Sequence, residues 1–278
     1  MFTTLIDCRT LAALEAAERV IVDARFSLAD KGAGRRDYLA GHLPGAVFAD
    51  LEQDLSAPVG PYTGRHPLPG VERMCEVFSR LGIGPDMQVV VYDDARGGMA
   101  ARLWWMLRYL GHPAVAVLDG GWQEWARLGL AVENGERHNP AVSFRGEPQP
   151  GWLVSAADVA AGVDCLIDAR DPARYRGEQE PIDPVAGHIP GAVNYCWQRS
   201  LADDGCFRAP DSLQHDLLQV LHGTPPGAAV CYCGSGVTAC HVILAAAHAG
   251  LSPPRLYAGS WSEWCSRPER PVATGEPG

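Results

Sequence analysis

The chain has 278 residues, 47% of them hydrophobic, which excludes a disordered or fibrous protein because enough apolar side chains are present for one or two ordinary cores. Its 23 basic and 33 acidic residues give a formal charge of −10, and no window has the Lys and Arg density that binding to a nucleic-acid backbone requires. No run approaches the roughly 18 apolar residues of a membrane span, and the N-terminus lacks a secretory signal pattern, so we expect a soluble, cytoplasmic protein without nucleic-acid or membrane partners.

Three short apolar runs in the first half of the chain have the composition of buried parallel strands. They are RVIVDAR at 19–25, MQVVVYDD at 87–94 and AVAVLDGG at 114–121, and all are bounded by Gly, Asp or Pro. Between the last two lies GMAARLWWMLRYLGH at 98–112, whose pattern and terminal glycine predict a helix. This alternation of strands and helices predicts an α/β fold with a doubly wound, mainly parallel sheet.

The second half of the chain repeats the first. VIVDAR at 20–25 matches CLIDAR at 165–170, and GHLPGAVF at 41–48 matches GHIPGAVN at 187–194. Two further pairs, VVVYDD with AVCYCG and DGGWQEW with AGSWSEW, follow in the same order, and all four offsets lie between 139 and 146 residues. A period of this length indicates a duplicated domain rather than a solenoid.

A polar segment rich in Pro and Gly, ENGERHNPAVSFRGEPQPGW, joins the two copies and has the composition of a linker. We therefore expect a first domain over 1–134, a linker over 135–150 and a second domain over 151–278. Each domain is expected to contain a doubly wound, mainly parallel sheet flanked by helices.

The stretch CGSGVT at 233–238 lies between a predicted strand and a predicted helix over 236–250. Chemistry in open parallel sheets is found at the carboxyl ends of the strands, where such loops occur. The glycines allow successive backbone amides to point inward at the positive end of a helix, which forms a cradle for an anion. Amides that point at a cysteine at the mouth of this cradle favour its anion, so Cys233 is predicted to be a nucleophilic thiolate.

Other functions were weighed for the same segment. A zinc site formed by Cys231, Cys233, Cys240 and His241 has an unusual ligand spacing, and no C-x-x-C redox pair is present, so we expect neither metal nor cofactor. A cysteine phosphatase or arsenate reductase needs an arginine six residues after the cysteine, where Ala239 stands. A non-catalytic binding module is disfavoured for the second half by the intact loop. Nine cysteines without a disulfide framework suit a reducing cytoplasm.

The paired D-A-R…G-H-[IL]-P-G-A segments, the CGSGVTACH loop and the two G-[GS]-W-x-E-W segments resemble the tandem-domain rhodanese sulfurtransferases, especially the 3-mercaptopyruvate sulfurtransferase branch. The resemblance implies that Cys233 takes a sulfane sulfur from a small donor and passes the resulting persulfide sulfur to cyanide, another thiol or thioredoxin. It also implies that the first domain is inactive, because Asp93 occupies the position that matches Cys233. The amides that would hold the persulfide are those of Gly234, Ser235, Gly236, Val237 and Thr238.

The resemblance further bears on the choice of donor. A CGSGVT loop implies 3-mercaptopyruvate, since a neutral loop offers no cation for the second charge of thiosulfate. Family members of this branch grip the donor carboxylate with two arginines, of which Arg174 matches the first. The second falls at 181–183, which contain no arginine, and Arg176 is the candidate substitute. Thiosulfate therefore remains an alternative donor, and Ser235 is expected to hydrogen-bond the donor or to relay a proton.

Two residues of the first domain are candidates for an assisting role. In the family that domain closes over the site, and its histidine with a nearby acid has been proposed to assist, which implies His42 and Asp37. The residues alone favour another interpretation, in which His42 and His188 order their turns by hydrogen bonds to backbone. The same sequence logic predicts ion pairs between Asp and Arg in both D-A-R segments, and core packing for Trp122, Trp125, Trp261 and Trp264.

Overall fold

The structure, a computed structural model, describes residues 1–15 and 19–276. It divides into two compact units: the first consists of residues 1–57, 69–149 and 203–206, and the second of residues 58–68, 150–202 and 207–278. The domain bounds inferred from the repeat stay a prediction. The structure adds that segment 58–68, which precedes a helix of the first unit along the chain, belongs to the second unit.

The first unit contains a five-stranded sheet in which every paired strand is parallel, in the order β1-β5-β4-β2-β3. Its strands are β1 Leu5–Ile6, β2 Arg19–Asp23, β3 Val47–Phe48, β4 Gln88–Tyr92 and β5 Val115–Leu118. Its helices are α1 Cys8–Ala13, α2 Ala33–Ala40, α3 Val71–Arg80, α4 Ala100–Tyr109 and α5 Gly121–Arg127. The central strands β4 and β5 are almost entirely buried, as the apolar runs in the sequence predict.

The second unit repeats this arrangement, with the parallel order β6-β10-β9-β7-β8. Its strands are β6 Leu153–Val154, β7 Leu166–Asp168, β8 Ala192–Asn194, β9 Val230–Tyr232 and β10 Arg255–Tyr257. Its α-helices are α6 Ala156–Ala161, α7 Pro172–Arg176, α8 Pro210–Leu221, α9 Ala239–His248 and α10 Ser260–Trp264, and short 3-10 helices span Trp197–Ser200 and Pro226–Ala228. The predicted α/β fold with a doubly wound parallel sheet in each half is confirmed.

The D-A-R segments form the same brace in both units. Arg25 pairs with Asp23 at 2.6 Å between Nη2 and Oδ2, and the same Nη2 donates to the Gly41 carbonyl at 2.7 Å. Arg170 likewise pairs with Asp168 at 2.6 Å and donates to the carbonyl of Gly187 at 2.6 Å. The predicted ion pairs are therefore confirmed, and each ties a strand end to the G-H-[IL]-P-G-A turn.

The two histidines of these turns make matching contacts. His42 and His188 are buried, and the Nδ1 atom of each lies 2.8 Å from a backbone carbonyl, that of Tyr38 and that of Tyr175 respectively. Both rings also stack on those tyrosines. The prediction that the histidines order their turns by bonding to backbone is thus confirmed in both units.

The four repeated tryptophans pack as expected from their spacing. Trp261 and Trp264 are buried in the core of the second unit, and Trp125 is buried in that of the first, with Trp122 packed against it and partly exposed. Arg25 lies over the Trp122 ring at 4.6 Å and Arg170 over the Trp261 ring at 4.7 Å. The core-packing prediction holds, and the indole rings also cover the buried arginines of the braces.

The helix after the CGSGVT loop is shorter than predicted. It begins at Ala239 rather than near residue 236, because Gly236 has a φ of +75°, which a right-handed helix cannot continue. The helix predicted over 98–112 likewise spans only Ala100–Tyr109. In both units the residues before the helix form a loop. None of the helices among the described residues is long and apolar enough to cross a membrane.

Gly34 in α2 offers a test of the packing in the first unit. A Cβ atom at this position would lie 1.9 Å from the carbonyl oxygen of Arg25, a backbone atom that cannot move aside easily. Gly34→Ala is therefore expected to lower the free energy of unfolding by about 2 kcal/mol, measured by urea titration. Gly70→Ala, where a Cβ would meet nothing within 4 Å, is the control and is expected to change stability by less than about 1 kcal/mol. Equal losses would contradict the close approach.

Candidate active site

Cys233 follows directly after β9, the middle strand of the second sheet, so it stands at the carboxyl end of a parallel sheet. Its side chain is buried, and its backbone is held on both sides. The Cys233 amide donates to Ser260 Oγ at 3.1 Å, and its carbonyl accepts the Trp261 amide at 3.0 Å. These contacts fix the position of the sulfur relative to the loop that follows.

Ser260 is held in an unusual conformation to make this contact. Its φ is +57°, in the left-handed region that non-glycine residues seldom adopt. Its hydroxyl donates to the Tyr257 carbonyl at 2.9 Å while accepting the Cys233 amide. The matching residue of the first unit is Gly121, which has the same φ without the hydroxyl. The strained serine is thus specific to the unit that carries the cysteine.

Residues 233–238, the Cys233 loop, curl at the N-terminus of α9. A side chain at Gly236 would place Cβ only 2.3 Å from the Ala258 carbonyl oxygen, so only glycine fits this turn. The amides of Gly234, Ser235, Val237 and Thr238 donate to no acceptor within residues 1–15 and 19–276. Backbone N–H groups without protein acceptors at a helix N-terminus form an anion-binding cradle, as the sequence predicts for this loop.

The first unit contains the same loop with its anion in place. Asp93 follows β4 as Cys233 follows β9, and its carboxylate accepts four backbone amides, from Ala95 and Gly97 at 2.8 Å and from Met99 and Ala100 at 2.7 Å. Burial raises the pKa of Asp93, and the four N–H donors oppose that shift. The loop geometry therefore suits a negative charge at the position that Cys233 occupies in the second unit.

Ser235 has a partner that the sequence did not reveal. Its Oγ lies 2.8 Å from Nδ1 of His66, and both side chains are buried. His66 belongs to segment 58–68, which is part of the second unit. That segment contains GRHPL at 64–68, which places an arginine and a histidine between Gly and Pro residues, and nothing in it specifies a partner so distant along the chain.

Of the two predicted carboxylate-binding arginines, Arg174 lies beside the Cys233 loop and Arg176 does not. Arg174 approaches the Cys233 loop, with Nη1 at 3.6 Å from the position that a Cβ on Gly234 would occupy. Arg176, two residues later, pairs instead with Glu178 at 2.8 Å and Glu276 at 3.4 Å. A second guanidinium near the loop comes from Arg65, whose Nη2 lies 2.7 Å from the same position. Arg65 is the second residue that sequence reasoning missed.

The remaining candidates belong to the first unit or are packed in the core of the second. His42 and Asp37 belong to the first unit, where Asp37 is exposed and its carbonyl accepts the Gly41 amide. Burial raises the pKa of the Cys231 thiol well above its ordinary value, and Cys240 Sγ contacts the Gly236 carbonyl at 3.3 Å. All nine cysteines are free, and the described residues contain no group of three or more His, Cys, Asp or Glu side chains that could hold a metal ion.

The arrangement brings four kinds of group together around the Cys233 loop. A buried thiol stands at the mouth of an amide cradle, Ser235 of the same loop contacts His66 of segment 58–68, and two guanidinium groups flank the first glycine of the loop. Such a site can generate a thiolate nucleophile, hold a negatively charged sulfur adduct and bind an anionic group on the molecule that reacts.

Comparisons with known proteins find similar chains over nearly the whole length of this one. The family model for the rhodanese-like domain matches residues 5–128 and 150–267. A Pseudomonas aeruginosa protein named probable 3-mercaptopyruvate sulfurtransferase is 48% identical, with 98% of each chain covered. A Mycobacterium tuberculosis protein named putative thiosulfate sulfurtransferase SseB is 42% identical over 92% of this chain and 90% of that one. The solved structure of 3-mercaptopyruvate sulfurtransferase from Leishmania major has a TM-score of 0.85 and 33% identity, covering 94% of this chain and 74% of that one.

Proposed function

The chain belongs to the rhodanese-like family, with two copies of the domain, and from this premise we propose that it transfers a sulfane sulfur from 3-mercaptopyruvate through a persulfide on Cys233 to a thiophilic acceptor. Relatives that are named sulfurtransferases support the reaction class. The observation that carries the proposal is the position of Cys233 at the mouth of a loop whose counterpart in the first unit holds the Asp93 carboxylate with four amides.

The first half-reaction balances without an external oxidant or reductant. The Cys233 thiolate attacks the thiol sulfur of the donor, so that an S–S bond forms while the C–S bond of the donor breaks. The electron pair of the broken bond becomes the enolate of pyruvate, which takes up the proton that the donor sulfur gives up. Cys233 is left as a persulfide anion, and the amides of the Cys233 loop stabilise its terminal sulfur.

The Ser235–His66 pair is suited to manage that proton. The enolate oxygen is the most basic group that forms in the reaction, and Ser235 places a hydroxyl on the loop that holds the nucleophile. In this scheme Ser235 Oγ hydrogen-bonds the donor carbonyl oxygen and passes its proton to the enolate, and His66, 2.8 Å from Oγ, replaces the hydroxyl proton. The proton that the donor sulfur gives up then returns His66 to its starting state. His42 and Asp37 of the first unit stay a proposal from the family resemblance, with no assigned step.

The second half-reaction returns the enzyme to its starting state. A nucleophile attacks the outer sulfur, the S–S bond breaks, and the electron pair returns to Cys233 as a thiolate. Cyanide then leaves as thiocyanate and a thiol leaves as its persulfide. Thioredoxin is the proposed protein acceptor, because a dithiol can go on to release the sulfur as sulfide by forming its own disulfide.

Intact mass spectrometry tests the proposal directly. Incubation with 3-mercaptopyruvate is expected to add about 32 Da, the mass of one sulfur atom, and subsequent cyanide is expected to remove it. Peptide mapping should place the sulfur on Cys233, and Cys231→Ala should still gain it, since burial keeps the Cys231 thiol protonated. Absence of any adduct would refute the scheme. If only thiosulfate adds a sulfur atom, the persulfide intermediate stands and the donor is thiosulfate rather than 3-mercaptopyruvate.

A further inference from the structure

Segment 58–68 brings His66 to Ser235 without regular secondary structure of its own. Residues 58–68 contain neither helix nor strand, so no ladder of backbone hydrogen bonds within the segment fixes its path. The contact between His66 Nδ1 and Ser235 Oγ nevertheless has a length of 2.8 Å, and a hydrogen bond of this kind tolerates only a small displacement. The position of His66 therefore depends on the groups to which the segment is attached.

The nearest attachment of the segment to the rest of the second unit is a serine of α10. Ser262 Oγ accepts the backbone amide of Arg65, the residue before His66, at 3.1 Å. The same hydroxyl donates to the carbonyl of Gly259 at 3.4 Å, so that an oxygen lone pair is directed at the segment. Ser262 is buried, and water competes little for this bond. The contact thus fixes the backbone one residue away from the imidazole.

The backbone of the same serine binds the Cys233 loop. The Ser262 amide donates to the carbonyl of Gly234 at 2.9 Å, and Gly234 is the residue before Ser235. Ser262 therefore holds the residue that precedes each member of the Ser235–His66 pair, one through its side chain and the other through its backbone. This single residue determines the register between the loop and the segment.

The segment approaches α10 too closely for a side chain at one position. Gly64 has a φ of +77°, and a Cβ there would lie 2.8 Å from the Gly259 carbonyl oxygen and 2.9 Å from Ser262 Oγ. Two residues earlier, the ring of Tyr62 lies 4.3 Å from the guanidinium carbon of Arg267, just beyond α10. The segment is thus held over residues 62–65 by α10 and the turn that follows it.

The first unit uses the matching residue in another way. Gln123 of α5 occupies the position of Ser262 in the repeated G-[GS]-W-x-E-W segment, and its side-chain amide donates to the carbonyl of Asp94, the counterpart of Gly234. In that unit the side chain is engaged by the loop itself. In the second unit the backbone of Ser262 binds the loop, which leaves the hydroxyl to bind segment 58–68.

We propose that Ser262 is a positioning residue for proton transfer, which holds His66 against Ser235 by binding the neighbours of both. This inference rests on the proposed function, because it concerns the proton relay assigned there. It adds to that relay a residue that makes no contact with either member of the pair through its own side chain.

Ser262→Ala is expected to lower kcat with 3-mercaptopyruvate about three- to tenfold with a smaller change in KM, because loss of one hydrogen bond reduces the fraction of molecules in which His66 reaches Ser235. Ser262→Thr keeps the hydroxyl and should recover most of the loss. In a His66→Ala background Ser262→Ala should cause no further fall in kcat, since its effect acts through the imidazole. Gly64→Ala displaces the segment by a different route and should lower kcat in the same way.

The ring-proton NMR resonance of His66 in the free enzyme reports its position without catalysis. The resonance is identified by its absence in His66→Ala, and it is expected to shift in Ser262→Ala. Ser266→Ala is the matched control, since Ser266 lies just after α10 and its hydroxyl donates to the Glu263 carbonyl at 2.8 Å. This control should leave both the resonance and kcat unchanged.

Three results would overturn the assignment of Ser262: an unshifted His66 resonance in Ser262→Ala, a rise in KM without a fall in kcat, or a loss that adds to that of His66→Ala. Persulfide formation on Cys233, followed by mass with thiosulfate, is expected within about threefold of the wild-type rate in every variant. That result with any of the three would show that the proposed function stands without Ser262. Absence of the persulfide from wild type with both donors would refute the proposed function itself.

Discussion

Cys233→Ser is expected to abolish sulfur transfer, with a fall in turnover of at least about 10³-fold from either donor. A serine hydroxyl ionises far less readily than a thiol, and an oxygen nucleophile cannot form or pass on a persulfide. The substitution is nearly isosteric, and the backbone contacts of residue 233 to Ser260 and Trp261 do not involve its side chain. The loss should therefore be chemical, with the thermal unfolding midpoint close to that of wild type. The rate is measured as thiocyanate formed from cyanide.

The neighbouring cysteines provide controls for this result. Cys240→Ser keeps a donor to the Gly236 carbonyl, and Cys231→Ala removes a thiol that burial keeps protonated. Both variants are expected to retain turnover within about threefold of wild type when corrected for folded protein. A large loss in either of them together with residual activity in Cys233→Ser would mean that the nucleophile is another cysteine of this segment.

The sequence predicted the fold because the same local pattern occurs twice. The β-branched runs that become β4 and β9 are buried on both faces, which is the environment their composition indicates. Each D-A-R segment carries its own salt bridge across one intervening residue, and each G-H-[IL]-P-G-A turn provides the carbonyl that its arginine binds. These contacts lie in short segments that occur in both halves of the chain, so a single sequence was sufficient to infer them.

The same reasoning identified the residues of the Cys233 loop and Arg174, which lie in segments with recognisable patterns. Arg65 and His66 could not be found in this way. His66 is 169 positions from Ser235 along the chain, and Arg65 is 118 positions from Asp183. Segment 58–68 has neither strand nor helix periodicity, and its interactions arise only from tertiary packing within the second unit. The domain bounds expected from the repeat assign this segment to the first domain, whereas the structure assigns it to the second unit.

The loop after the middle strand differs between the two units in whether its amides are occupied. In the first unit Asp93 fills the cradle with its own carboxylate, so the four amides are occupied. In the second unit the corresponding side chain, that of Cys233, is one atom shorter, and the amides of Gly234, Ser235, Val237 and Thr238 have no acceptor among the described residues. The first loop is thus closed to an external anion, whereas the second can receive the outer sulfur of a persulfide.

Ser235→Ala and His66→Ala are each expected to lower kcat with 3-mercaptopyruvate about 100-fold, because the enolate that leaves must be protonated. The two residues are joined by a single 2.8 Å contact between Oγ and Nδ1, so removal of either breaks the same relay. The double variant should therefore be little worse than either single variant, which a double-mutant cycle measures as strong coupling. Ser266→Ala, which removes a hydroxyl bonded to the Glu263 carbonyl, is the control and should leave kcat unchanged.

Comparing the two donors separates a role in proton transfer from a role in positioning the loop. Attack on thiosulfate releases sulfite, a stable anion that departs with the electron pair of the S–S bond and needs no proton. Persulfide formation from thiosulfate, followed in a single turnover by mass, should thus proceed in Ser235→Ala and His66→Ala at a rate within about threefold of wild type. Equal slowing with both donors would show that the pair positions the Cys233 loop rather than delivering a proton. Additive losses in the double variant would show that Ser235 and His66 act separately, and the 2.8 Å contact would then have no role in catalysis.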